Sequence, residues 1–169
     1  LVIAAGLLCA CEEPPHLRLE GPSLLPPRFP RDRALPEETT CTGQSIDPPS
    51  AELEPILAQA ASGEAAGYAA LLGLALGWPQ SATLRLHAAG LARESMDAGR
   101  LYADAVRLHD AGCVLAPEAL REALHGLGTA RLAVGDAAGA RDAFSRAVRA
   151  LPEAAPTHYA LAATHCRLH

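Results

Sequence analysis

The sequence contains no lysine, so all fourteen of its basic side chains are arginine. They are interspersed with acidic residues from Glu52 to Arg167, and the formal net charge is −5. No basic stripe is left to hold a phosphate backbone, and nucleic acid is not an expected partner. Aromatic residues are scarce, at 4%, while the apolar half of the chain is rich in alanine, a composition that favours helix over sheet. Long apolar runs are also missing: residues 1–8 (LVIAAGLL) and 71–76 (LLGLAL) are both too short to span a bilayer. There is no Gly-rich phosphate loop, no nucleophile elbow and no helical His-Glu-x-x-His zinc motif. The residues present therefore offer no catalytic arrangement and no cofactor or metal site, and an enzyme is not expected.

What the chain does have is helical periodicity, clearest over residues 120–156. Leu120, Leu124, Leu127 and Arg131 recur at helical intervals, and Ala140, Ala143, Phe144, Ala147, Val148 and Leu151 do so again after Gly135. Each segment thus carries one buried stripe, and two facing stripes make a helical hairpin. Gly128, Ala140 and Ala147 are small enough for the backbones to approach closely, with Phe144 filling the space beside them. Gly135 can take a positive φ, Asp136 can cap the second helix and Pro152 ends it.

The order Leu127-Gly128, Gly135, Ala140, Phe144, Ala147 and Pro152 resembles a tetratricopeptide repeat, whose pattern runs over about 34 residues. The chain departs from that pattern at Leu124, where the family favours Trp, and at Arg131, where it favours Tyr. The resemblance implies an all-α fold: a solenoid of α-hairpins in a right-handed superhelix, over residues 50–169, with the best repeat at 121–154. A preceding hairpin is expected from 51–61 and 64–76, broken at Ser62-Gly63, stopped at Trp78-Pro79 and started from a cap at Ser50. It is either a degenerate repeat or a cap on the stack. Residues 81–98 and 100–115 are expected to form the next pair, turning at Gly99. Residues 156–168 begin another unit, with Leu161-Ala162 repeating Leu127-Gly128 at the same period, and that last repeat is truncated.

Ahead of the helices, residues 1–11 read as the apolar core of a secretory signal. Leu8-Cys9-Ala10-Cys11 resembles a bacterial lipobox, which would make Cys11 the lipidated residue; a plain signal peptide or a truncated anchor helix is the alternative. Nine of the fourteen prolines fall within 12–49, so this stretch is expected to be a disordered, extended tether. The expected location is the bacterial cell envelope, with the chain anchored to the membrane through its lipid. The start at Leu1 instead of Met, and the end inside a repeat, suggest part of a longer product.

The family lines a concave groove with the first helix of each repeat. Carried to this chain, the groove positions are Glu122, His125, Thr129, Leu132 and Ala133, joined by Tyr159 and Ala163 of the following unit. The competing reading of the same positions is an ordinary solvated face. They lack clustered Lys or Arg, so a carboxylate clamp is not expected. His158, His165 and His169 share roughly one helical face and could chelate a metal, but His158 and His165 stand where the family packs Trp and Tyr, and interface side chains are the preferred reading. Cys113 and Cys166 look like small core residues and Cys41 lies in the tether, so no disulfide is assigned. The expected function is a non-catalytic scaffold that binds a protein or peptide. The alternatives are an accessory domain of an enzyme or electron-transfer protein whose chemistry lies beyond residue 169, and a metal-handling lipoprotein.

Overall fold

The computed structural model describes residues 41, 43, 46–63, 65–92 and 94–168, without the Ser95 side chain. The expected signal, Cys11, most of the 12–49 stretch and His169 lie outside the described residues. Within them there are seven helices and no strands: α1 (Ser50–Ala61), α2 (Ala65–Gly77), α3 (Ala82–Leu91), α4 (Ser95–Asp110), α5 (Pro117–Ala133), α6 (Ala137–Ala150) and α7 (Ala155–Leu168). The fold is all-α, as the alanine-rich, aromatic-poor composition implies.

Each helix packs on the next in the chain, and α1 and α5 also touch α3. Neighbours run antiparallel, as residue pairings show: Gly99 lies against Ala130 and Gly126 against Tyr102 across α4–α5, while Gly128 lies against Phe144 across α5–α6. These glycines are packing devices. A Cβ on Gly126 would sit 2.4 Å from the Tyr102 ring, and one on Gly128 would sit 2.6 Å from the Phe144 ring. One aromatic ring therefore seats on each side of α5, and the helices close to a distance that larger residues would forbid.

Two apolar clusters fill the interior. Leu71, Leu72 and Ala75 of α2 meet Leu84, Ala88 and Ala89 of α3 and Leu101 of α4. Further along, Leu86, Leu108, Leu115, Leu124 and Leu127 surround Ala143 and Ala147 of α6. The short apolar run of α2 is thus buried against the next hairpin, and no described helix is long and apolar enough to cross a membrane.

The turn between α5 and α6 follows the expected chemistry. Gly135 has φ +84°, its N–H donates to the Leu132 carbonyl, and the Asp136 N–H donates to that of Arg131. This pair of bonds satisfies the last carbonyls of α5. Asp136 Oδ1 then accepts from the Gly139 N–H at 2.8 Å, capping α6. Leu124 is buried at the family's Trp position. Arg131, at its Tyr position, donates from Nη1 to the Gly139 carbonyl at 2.9 Å, so a hydrogen bond joins the hairpin where the family places a ring.

The α3–α4 hairpin differs from expectation. Its break falls after Leu91, where Ala92 turns extended with ψ 128°, and Gly99 lies inside α4. The true stop is Gly112, at φ +98°, whose N–H donates to the His109 carbonyl while the Cys113 N–H donates to that of Leu108. It is the same capping motif as at Gly135. Ser50 is also not a cap: α1 begins at Ser50, and the Pro49 carbonyl accepts the N–H groups of Glu52 and Leu53.

Two features escaped the sequence pattern. Arg85, 2% exposed, lies in the interior between α2 and α4, and its Nη1 donates to the Ala75 carbonyl at 2.7 Å, satisfying the C-terminal end of α2. Burial lowers its pKa from the usual arginine value, with Asp104 opposing that shift and Arg107 adding to it. Second, Cys41 forms a disulfide with Cys113, with Cα atoms 5.0 Å apart. Cys166, expected in the core, is exposed. It lies on the outer side of α7, whose buried contacts to the rest of the chain are made through Thr157 and Thr164.

Candidate functional site

The groove positions on α5 fall at helical intervals from Glu122 to Ala133, and those on α7 are Tyr159 and Ala163. Glu122, Thr129, Ala133, Tyr159 and Ala163 are exposed, and Tyr159 stands out at 78%. Leu132 is half-buried. Thr129 turns its hydroxyl back to donate to the His125 carbonyl at 3.0 Å.

His125 is the hinge of this surface. Its ring is tilted over Phe144 at 5.3 Å between centroids, and Nδ1 lies 3.5 Å from Thr157 Oγ1 on α7. One side chain therefore touches both its own hairpin and the next, and places α5 beside α7. Burial holds the imidazole pKa below its ordinary value, and the neighbouring Arg121 lowers it further. Neutral at pH 7, Nδ1 can accept the Thr157 hydroxyl proton.

A second surface lies between α4, α5 and α6 and was not legible as a groove in the sequence. Met96, Gly99, Ala103, Leu127, Ala130 and Val134 line a cleft of about 280 Å³, flanked by Arg100 and Arg131. An adjoining hollow of about 270 Å³ continues between Val106, Leu124 and Ala143, with Arg107, Asp110, Asp142 and Arg146 at its rim. Met96 is 58% exposed and Val134 62%. The one available signal was the small pair Gly99 and Ala103 on α4, facing the small Ala130 on α5. Three of the rim arginines are paired: Arg107 with Asp104 at 3.2 Å, Arg146 with Asp110 at 2.7 Å and Arg131 with Asp136 at 3.9 Å. Such exposed pairs contribute little stability.

The titratable groups of the interior are arranged for packing. Tyr68 is pushed up to about 12 by burial and then by Asp97 and Glu94, and Tyr102 is raised by burial and by Glu122, so both phenols stay protonated. His109 accepts the Leu115 N–H at 3.0 Å and holds the entry to α5. His158 Nε2 donates to the Pro152 carbonyl at 2.6 Å, tying α7 to the loop before it, while His165 is exposed. Among the described residues no group of three or more His, Cys, Asp or Glu side chains could hold a metal ion.

The geometry thus provides two shallow surfaces, one on α5 and α7 and one between α4, α5 and α6. Comparison with protein-family models, with curated proteins and with solved structures returned no match.

Proposed function

We propose that the helices form a tetratricopeptide-type solenoid, wound as a right-handed superhelix, and that it serves as a non-catalytic scaffold for another protein. The observation that carries this reading is a pair of contacts between successive hairpins. Arg146 Nη2 donates to Asp110 Oδ1 across 36 residues, and His125 meets Thr157 across 32. These offsets bracket the 34-residue spacing of Leu127-Gly128 and Leu161-Ala162, which is what stacking of like units requires. The interlock of Gly128 with Phe144 supports the same reading within one hairpin.

The partner, an extended segment or helix of another protein, lies on the α5–α7 face against His125, Ala133, Tyr159 and Ala163. A preformed stack loses little conformational entropy on binding, so the ordering falls mainly on the partner. The scaffold is held at the bacterial cell envelope by a lipid on Cys11, with the Pro-rich stretch ahead of Cys41 as its tether; at Cys41 and Asp47 the chain is fastened to the helices instead. The Cys41–Cys113 bridge supports that placement, because disulfides persist in thiol-oxidising compartments.

The test is a photo-crosslinking scan of the full chain in its own cells, with the crosslinker at Thr129, Ala133, Tyr159 or Ala163 and, as controls, at Glu52 and Glu54 of α1. One protein captured from the four face positions and from neither control is the expected result. No capture at the face, or equal capture everywhere, would overturn the reading.

A further inference from the structure

The two sulfurs of the Cys41–Cys113 bridge are in different surroundings. Cys113 is fully buried, in one core cluster with Leu86, Leu108 and Leu115. Cys41 packs on the same cluster but remains partly exposed, and its carbonyl lies over Gly112, where a Cβ would approach to 3.0 Å. Six residues on, Asp47 accepts hydrogen bonds from the Ser81 hydroxyl, which itself caps α3, and from Thr83 Oγ1 at 3.0 Å. Pro48 beside it is buried. The segment ahead of α1 is thus fastened covalently at the end of α4 and by hydrogen bonds at the start of α3. It clasps the α3–α4 hairpin, whose break lies at Ala92 and not at the expected Gly99.

We propose that this bridge is a redox latch on the α3–α4 hairpin, closed and opened by thiol–disulfide exchange at the Cys41 sulfur. The reagent class is a dithiol or its disulfide, on a small molecule or an oxidoreductase. In opening, an incoming thiolate forms a new S–S bond with Cys41 Sγ as the Cys41–Cys113 bond breaks. The electron pair leaves on Cys113 Sγ, which takes a proton. The second thiol of the dithiol, as thiolate, then attacks the mixed disulfide, and Cys41 leaves and is protonated. Two electrons and two protons pass to the chain, and the dithiol becomes a disulfide. Closing is the reverse, with Cys41 again the sulfur that meets the reagent, because Cys113 is enclosed. The latch rests on the bridge and its surroundings alone and stands or falls independently of the scaffold reading.

Two measurements on the full chain test it. Oxidised protein is treated briefly with glutathione, a monothiol, quenched with acid to trap the mixed disulfide, and mapped by peptide mass spectrometry. At least tenfold more adduct on Cys41 than on Cys113 is expected; equal adducts, or an excess on Cys113, would overturn the site of exchange. Amide hydrogen exchange is then compared among oxidised protein, protein reduced with dithiothreitol and Cys41→Ser. The amides of Leu84, Cys113 and Leu115 should exchange at least tenfold faster once the bridge is open, with Ala140 and Leu151 within twofold. No change at the first three would overturn the latch. So would an equal rise at all five, which belongs to a staple for the whole fold.

Discussion

Replacing Gly128 by Ala tests the closest approach between α5 and α6. In an open helix the change is favourable by about 1 kcal/mol, since Ala restricts the unfolded backbone and raises helix propensity. At Gly128 the new Cβ would meet three Phe144 ring atoms at 2.6, 2.8 and 2.9 Å, inside the distance that carbon atoms tolerate. Phe144 is 1% exposed and has no free side to move into, with the His125 ring tilted over it. Overpacking of this kind costs roughly 1–3 kcal/mol, so the net change should be a loss of up to about 2 kcal/mol. Gly73, midway along α2, supplies the control: a Cβ there meets nothing within 4 Å, and Gly73→Ala should gain about 1 kcal/mol. For a helical domain of this size 1 kcal/mol moves Tm by about 4 °C, so calorimetry should find the two variants shifted in opposite directions. A gain at Gly128 equal to that at Gly73 would refute the close-packing argument.

Three further outcomes follow from the same structure. Arg85→Ala removes the donor to the Ala75 carbonyl and opens a cavity, and it should destabilise by about 2–4 kcal/mol in urea unfolding, whereas Arg107→Ala on the surface should change stability by less than about 0.5 kcal/mol. His125 is held below its usual value of 6.5, so the unfolded chain binds its proton more readily; its contribution is fully present above about pH 6.5 and is lost as pH falls below that toward the folded value, and His125→Gln should flatten the profile there. Ending the chain at Ala119 removes Ala123, Leu124, Leu127, Ala143 and Ala147 from one core cluster and should abolish the cooperative thermal transition, which an unchanged transition would disprove.

What could be read in advance was set by local chemistry. Gly135 and Asp136 announce a turn and a cap because both act within a few residues, and Gly128 with Phe144 announces a close contact because a helical period places them opposite each other. Gly99 shows the limit of the same reasoning. A glycine in a helical pattern is equally suited to end a helix or to admit a neighbour, and only the position of Ala130 decides that Gly99 admits α5. The real break at Ala92 carries neither Gly nor Pro and follows from extended backbone alone. The Cys41–Cys113 bridge spans 72 residues, and Arg85 finds its acceptor on a different helix; both are tertiary contacts that no local periodicity encodes. The groove positions on α5 and α7 came from family resemblance, whereas the cleft beside Met96 and Val134 exists only because α4 and α5 meet there.

The most direct measurement of the central claim is the dissociation constant of the crosslinked partner segment, made as a peptide, for three forms of the full chain. Ala133→Arg on the α5–α7 face should weaken binding at least tenfold relative to the unaltered protein, while Val134→Asp in the α4–α5 cleft should leave it within twofold. The opposite pattern would contradict the account and move the binding surface to the cleft.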